Sequence, residues 1–123
     1  MTFFFDENLS PHLVAGLRGF GEDVVHLTDE FEPGTRDVDW LEVIGTKGWP
    51  LVSKDERIRY NKGEREQIMR HSVSAFFLGG KKMSRCETIQ QVVRAWPEMK
   101  KWVAKSRTPF LAKVSRHGKI EPI

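Results

Sequence analysis

Apolar and polar positions alternate along the chain in short blocks. Four apolar runs, each stopped by polar residues, have the length and the sharp ends of buried strands. They lie at residues 2–5, 23–26, 50–53 and 72–78. Amphipathic segments with helical spacing separate or follow them, at residues 10–21, 38–47, 61–70 and 84–96. Strands and helices that alternate in this way predict a single α/β domain, a parallel sheet with helices on both faces.

Residue types at the boundaries predict where three of these helices begin. Ser10 followed by Pro11 has the pattern of an N-cap and a first helical position, where the missing N–H of proline is tolerated. Ser84 and Glu87 have the spacing of a capping box, and Asn61 begins a similar pattern. These signals predict helix starts at residues 11, 62 and 85.

The remaining boundaries are predicted from breaker residues. Pro97 predicts an interruption of the last helix, with residues 98–105 continuing at a new angle. Residues 28–37 are acidic and contain Pro-Gly, which predicts a loop. Residues 109–115 are predicted to form a final strand, followed by an irregular end.

Length and composition limit the classes of protein that fit. The 123 residues, 39% of them apolar, predict one domain, residues 1–123, with its own core. The sequence lacks an apolar run of about 18 residues, so we expect no membrane span, and we expect no export signal. The single cysteine, Cys86, excludes an internal disulfide and a cysteine metal cluster, which fits the cytoplasm. We expect Cys86 to be half-buried in a helix.

The net charge of +3 conceals two parts of opposite sign. Residues 1–78 contain 9 Lys and Arg against 14 Asp and Glu, a balance of −5, and residues 79–123 contain 11 against 3, a balance of +8. An acidic front suits a cation site, and a basic part containing Trp96 and Trp102 suits a polyanion such as nucleic acid. Solvated helix faces would give the same charges, and Trp96 lies on an apolar stripe typical of core packing.

Carboxylates occur at one edge of the predicted sheet. Asp6 directly follows the first strand, Asp55 follows the third, and Asp37, with Asp39 two residues on, opens a helix. In open parallel sheets, ligands bind outside the carboxyl ends of the strands. Close carboxylates repel one another unless a cation lies between them, and oxygen ligands alone favour Mg²⁺ or Mn²⁺. Such an ion can hold a phosphate oxygen and activate water, which predicts phosphodiester hydrolysis.

Single acids also have simpler interpretations. Asp37 could be a helix N-cap, and Asp55 could cap a turn or be neutralised by Lys54 or Arg57. Three further acids near the rim fit a solvated position, or a position supporting the ligands, better than direct contact with the ion, namely Glu7, Asp39 and Glu56. The four histidines are assigned to packing, capping or the surface, and not to catalysis.

The chain resembles the compact PIN-like nucleases of bacteria, especially the toxin halves of toxin–antitoxin pairs. The resemblance is carried by FFFDENLSPHLVAGLRGFGEDVVHL and TRDVDWLEVIGTKGWPLVSKDERIR, and spans residues 3–78. Its most specific parts are DEN after the first strand, DVDW at a helix start and VSKDERI after the third strand. It implies a three-layer α/β/α domain with strand order 3-2-1-4-5 and an acidic cluster that binds Mg²⁺ or Mn²⁺ and cleaves RNA.

Matched by position, the family's catalytic metal-binding acids are Asp6, Asp37 and Asp55. Additional ligand candidates beside them are Glu7, Asp39 and Glu56. Many members have a further acid a few residues after the third, where this chain has Arg57 and Arg59, so a second metal site stays open.

The combined prediction is a metal-dependent endoribonuclease, a cytoplasmic toxin that acts on RNA and is held off by a cognate antitoxin protein, with a homodimer as a candidate assembly. The residues predicted to contact nucleic acid are Lys54, Arg57, Arg59, Lys81, Lys82 and Arg85. One alternative is a catalytically inactive PIN-like module that binds RNA or protein. Another is a receiver-like phospho-acceptor domain, which the apolar end of the fourth strand, Phe77-Leu78-Gly79, disfavours.

Overall fold

A computed structural model of the protein describes residues 1–54 and 61–123. These residues form six strands and five helices. The strands are β1 Phe3–Phe5, β2 Val24–His26, β3 Leu51–Ser53, β4 Ala75–Leu78, β5 Leu111–Val114 and β6 Ile120–Pro122. The helices are α1 Pro11–Gly19, α2 Leu27–Glu30, α3 Asp37–Lys47, α4 Lys62–Arg70 and α5 Arg85–Lys105.

The six strands form one sheet in the order β2-β1-β3-β4-β5-β6. Neighbouring strands from β2 to β5 are parallel, and β6 runs antiparallel to β5. The predicted parallel sheet is therefore confirmed, but the order 3-2-1-4-5 is wrong, because β3 lies between β1 and β4. The burial of the strands explains the difference. All three residues of β3 are buried, as a central strand requires, whereas Val25 of β2 is partly exposed, as suits an edge.

Helices cover both faces of the sheet, and each face has its own apolar core. Phe3 and Phe5 of β1 point to the face covered by α1 and α5. Phe4, between them, points to the opposite face, covered by α2, α3 and α4. This alternation follows from the two-residue period of a strand, and it explains why three consecutive aromatic residues can all be buried. The predicted three-layer arrangement is confirmed.

Several helix ends are set by local hydrogen bonds and backbone conformation. The hydroxyl of Ser10 accepts a hydrogen bond from the backbone N–H of His12 at the start of α1. Ser84 and Glu87 form the predicted capping box at the start of α5. Gly48 ends α3 in the left-handed region, with a φ of 73°, which favours glycine.

Other local predictions are wrong. Pro97 lies inside the continuous helix α5 and is exposed, while Trp96 and Met99 on either side of it are buried. Burial of these two side chains against the sheet favours a continuous helix although proline removes one backbone hydrogen bond. Cys86 is exposed, because it lies on the side of α5 away from the core.

Two segments predicted to be irregular contain regular structure. The first turn of residues 28–37 belongs to α2, which His26 caps by accepting a hydrogen bond from the N–H of Thr28. The predicted loose end forms β6, paired with β5. No helix in the described residues is both long and apolar enough to cross a bilayer.

Candidate functional site

The connections that leave β1 and β3 lead to opposite sides of the sheet. From β1 the chain passes through α1 to β2 on one side, and from β3 it passes through α4 to β4 on the other. In open α/β sheets, the crevice outside the carboxyl ends of the strands at such a switch point is the usual ligand site. The residues that directly follow these two strands are Asp6 and Lys54.

Asp6 is a buried carboxylate, with only 3% of its surface exposed. Its backbone N–H donates to the carbonyl oxygen of Val52 at 3.2 Å, which continues the pairing of β1 with β3. Its Oδ1 accepts a hydrogen bond from the backbone N–H of Asn8 at 3.0 Å. Strand alternation places Asp6 on the same face as Phe4, and the β1–β3 register places it beside Ser53, which is fully buried. The fold itself therefore positions this carboxylate at the switch point.

Asp37 lies at the same edge and face of the sheet. It is the first residue of α3, and its Oδ1 accepts a hydrogen bond from the indole N–H of Trp40 at 3.2 Å. The Trp40 ring packs on Phe4, with 5.4 Å between centroids. Asp37 comes three residues before Trp40, which is about 4.5 Å toward the N-terminus of α3. Asp6 comes two residues after Phe4, which is about 6.6 Å beyond it in the direction of β1. Since α3 runs antiparallel to β1, both displacements lead toward the carboxyl edge.

The other predicted acids differ in their surroundings. Glu7 is exposed and lines a cleft together with Lys54. Asp39 forms a surface ion pair with Arg36 at 3.1 Å, and its hydrogen bond and charge raise the pKa of that guanidinium. Predictions for four residues lie outside the described part of the chain, namely Asp55, Glu56, Arg57 and Arg59. Among residues 1–54 and 61–123, three or more His, Cys, Asp or Glu do not gather where they could hold a metal ion.

The four described cations that were predicted to contact nucleic acid line adjoining clefts. One cleft of 430 Å³ lies between the starts of α1 and α5, and a second of 460 Å³ follows the loop after β4. They share Asn8, Lys54 and Met83. We call the two together the basic cleft, after the cations that line it, which are Lys54, Lys81, Lys82 and Arg85.

Lys54 connects the switch point to α5, because its Nζ donates to the hydroxyl of Thr88 at 2.9 Å. The sequence reasoning missed Thr88. The one available signal was its position next to the capping-box residue Glu87, on the turn of α5 nearest the carboxyl edge.

The loop that carries Lys81 is held by residues near the C-terminus. Arg116 donates to the carbonyl oxygen of Lys81 at 3.3 Å and forms an ion pair with Glu87 at 2.7 Å. The backbone N–H of Ser84 and the Arg116 guanidinium together hold the pKa of Glu87 below its usual range. The amide of Gln91 also donates to the carbonyl oxygen of Gly79 at 2.8 Å. The loop is thus fixed at both ends.

Much of the remaining basic charge lies away from this edge or is paired. Several cations of residues 79–123 form ion pairs at the surface, namely Lys100 with Glu22, Lys101 with Glu98, and Lys113 and Lys119 with Glu121. Trp96 is buried, as the apolar stripe predicted. Trp102 packs against Phe110, with 6.5 Å between ring centroids. Neither tryptophan lines the basic cleft.

A family model described as a PIN like domain matches residues 1–80. The chain belongs to the PIN-like domain family. This match confirms the resemblance to the PIN-like family. It covers strands β1 to β4, and so includes the carboxyl ends of β1 and β3 that form the switch point. No curated protein and no solved structure has significant similarity to the chain. PIN-like domains are commonly nucleases. Nuclease chemistry is therefore the first function to consider for the buried carboxylate at the switch point.

Proposed function

We propose that this PIN-like domain is a metal-dependent endoribonuclease that hydrolyses RNA phosphodiesters. The observation that carries the proposal is the burial of Asp6 at the β1–β3 switch point, where the two residues that follow it, Glu7 and Asn8, line a cleft together with Lys54. Family membership supports nuclease chemistry as a class. The basic cleft supports a polyanionic substrate, because Lys and Arg side chains neutralise backbone phosphates.

The ligand chemistry fits Mg²⁺ or Mn²⁺. Asp6 and Asp37 offer carboxylate oxygens at one edge and face of the sheet, and Asp55 follows the neighbouring strand in the sequence. Hard divalent ions prefer such oxygen ligands. When bound, the ion would act as a Lewis acid on a phosphate oxygen and lower the pKa of a bound water. We assign Asp6, Asp37 and Asp55 as its holders, and Glu7, Asp39 and Glu56 as weaker candidates.

The chain's own cations have the complementary role of holding the substrate. In our proposal, Lys54, Lys81, Lys82 and Arg85 bind phosphates on either side of the scissile bond. The hydrogen bond from Lys54 to Thr88 and the ion pair of Arg116 with Glu87 keep this surface in shape before substrate arrives. Fixed side chains lose less entropy on binding, so the same contacts give a higher affinity.

We also propose a biological role for this activity, as a toxin that an antitoxin protein restrains. It rests on the resemblance of the DEN, DVDW and VSKDERI segments to bacterial toxin nucleases. Expression of the parent chain should arrest growth, and Asp6→Asn should relieve the arrest. Equal arrest by both versions would contradict toxicity through RNA cleavage.

The biochemical test is cleavage of a labelled single-stranded RNA with Mg²⁺ or Mn²⁺. Asp6→Asn should slow cleavage by about 100-fold or more, since a metal contributes several kcal/mol and each 1.36 kcal/mol is a factor of ten. Asp23→Asn, an exposed aspartate just before β2 at the opposite edge, is the control and should cleave like the parent. If the Asp6 variant cleaves at the parental rate with its fold intact, the proposed site is wrong.

A second candidate is a PIN-like module that binds RNA without cleaving it. The observation in its favour is the basic cleft, whose cations could hold RNA phosphates whether or not a metal ion is bound. Such a module would bind RNA through the basic cleft and leave it intact with either metal. The receiver-like alternative is disfavoured further, because β4 ends in the apolar residues Phe77 and Leu78, without the hydroxyl that such a domain needs there.

A further inference from the structure

Helices α3 and α4 lie close together at the amino edge of the sheet and apart at the carboxyl edge. At the amino edge, a Cβ on Gly45 of α3 would collide with the backbone carbonyl oxygen of His71, which follows α4. Only glycine allows this approach of the two backbones. Toward the carboxyl edge the two helices leave an open slot of 190 Å³. The slot therefore opens at the edge where Asp37 begins α3.

The slot is small and most of its lining residues are apolar. Its walls include Val38, Leu41 and Ile68, and Trp40 also lines it. An apolar cavity of about 150 Å³ is large enough to bind benzene. Asp37, a proposed metal holder, lies in its lining. A ring in this slot would therefore lie next to the proposed reaction site.

Two polar side chains of α4 also line the slot. Glu64 and Gln67 are three residues apart, so they lie on the same face of the helix, and both are partly buried. Neither side chain makes a hydrogen bond or an ion pair with any residue that the structure describes. Because both are partly exposed, water can hydrate them in the free protein, and they remain available to a ligand whose polar groups match theirs.

We propose that the slot between α3 and α4 binds a guanine base of the RNA substrate. This inference rests on the proposed nuclease function and names the base that the site selects. The Watson–Crick edge of guanine carries two donors, N1–H and N2–H, that match the two oxygens of the Glu64 carboxylate. Its O6 accepts a hydrogen bond, which the amide of Gln67 can donate. Adenine lacks this pair of donors, and pyrimidines fill less of the slot.

Single-stranded RNA is suited to this mode of recognition. Its bases can turn away from their neighbours, stack against apolar and aromatic side chains and present their Watson–Crick edges. Phosphates on either side of the inserted guanine would remain at the carboxyl edge, where Asp6, Asp37 and the basic cleft lie. The slot would thus select the sequence, and the cations would supply affinity that does not depend on sequence.

The test measures binding of four RNA pentamers that differ only in the central base, with EDTA present so that no cleavage occurs. Affinity is measured by fluorescence anisotropy, and the location by NMR, using the Trp40 indole N–H that donates to Asp37. The guanine pentamer should bind about tenfold or more tightly than the others and shift the Trp40 signal. Glu64→Gln should remove the preference. Glu66→Gln, on the same helix but outside the slot lining, should keep it.

Three results would overturn the inference: equal binding of the four pentamers, an unchanged preference in Glu64→Gln, or a Trp40 signal that does not respond. Guanosine monophosphate should bind at least tenfold more weakly than the guanine pentamer, and equal binding would overturn the assignment to an RNA chain. The nuclease proposal fails separately. If the protein prefers guanine but never cleaves RNA, the guanine site is supported and the nuclease function is contradicted. If it cleaves RNA without a base preference, the nuclease function is supported and the guanine site is contradicted.

Discussion

Lys81 and Arg85 should contribute to RNA binding without stabilising the fold. Arg85 is the first residue of α5, where the partial positive charge of a helix N-terminus disfavours a cation by about 0.3–1 kcal/mol. The Lys81 side chain is exposed and makes no hydrogen bond or ion pair with the described part of the chain. Replacing both by Ala should therefore leave the melting temperature unchanged or slightly higher, while RNA binding weakens. A purely structural role for these cations predicts a lower melting temperature instead.

The loss of affinity follows from counterion release. For single strands, each neutralised phosphate adds about 0.7 to the slope of log affinity against log salt concentration. Two lost contacts should lower that slope by about 1.4, which corresponds to about 25-fold weaker binding at 0.1 M salt. The assay is fluorescence anisotropy with labelled single-stranded RNA over a salt series, in an Asp6→Asn background that prevents cleavage.

The matched control removes the same charge from the far end of α5. Lys101→Ala with Lys105→Ala changes two exposed cations on the last turns of the helix, away from the basic cleft. This control should change the slope by less than half as much. If both double variants weaken binding equally, the basic cleft has no special role, and if neither changes the slope, RNA does not contact it.

Two further predictions concern the fold and its dependence on pH. Gly16→Ala in α1 should raise the unfolding free energy by about 0.5–1 kcal/mol, because the added Cβ meets nothing within 4 Å. Gly45→Ala should instead lower it by about 1–3 kcal/mol, because two backbones meet there; denaturant unfolding of both variants checks these opposite signs. The pKa of Glu87 is held low by the Ser84 backbone N–H and by Arg116, so its ionised form stabilises the fold at neutral pH. The melting temperature of the parent should exceed that of Glu87→Gln at pH 7, and the gap should close as pH falls below about 4; a constant gap would contradict this assignment.

The strand and helix boundaries that sequence predicted well depend on local chemistry. Ser10 with Pro11 and Ser84 with Glu87 each satisfy backbone N–H groups within three residues, so distant parts of the chain do not alter the outcome. The alternation of strands and helices is equally local, and it gave the layers correctly.

The errors occurred where tertiary packing decides. Strand order depends on which strands are buried on both faces, and the sequence of β3 alone does not distinguish a centre from an edge. Pro97 was expected to break α5, yet the burial of Trp96 and Met99 favours a continuous helix. Cys86 was expected to be half-buried, but the buried apolar residues of α5 begin at Val92, nearly two turns later and on another side of the helix.

The candidate site was only partly accessible to sequence reasoning. The position of Asp6 and Lys54 at the carboxyl edge could be predicted because both directly follow strands, which is a local feature. Thr88 and Arg116 act through contacts over 34 and 29 residues of sequence, to Lys54 and Glu87 respectively, and no local pattern marks such partners. The slot between α3 and α4 likewise depends on how two helices diverge, a property of the packed structure.

The most direct test of the account is a crystal of the protein soaked in Mn²⁺, examined for anomalous density. We expect a Mn²⁺ ion within about 2.2 Å of an Asp6 carboxylate oxygen, with Asp55 as a further ligand. The same soak of Asp6→Asn crystals should give no ion at this position. Crystals that diffract well but carry no Mn²⁺ at Asp6, or that show Asp6 and Asp55 directed away from each other, would contradict a metal-dependent nuclease at this site.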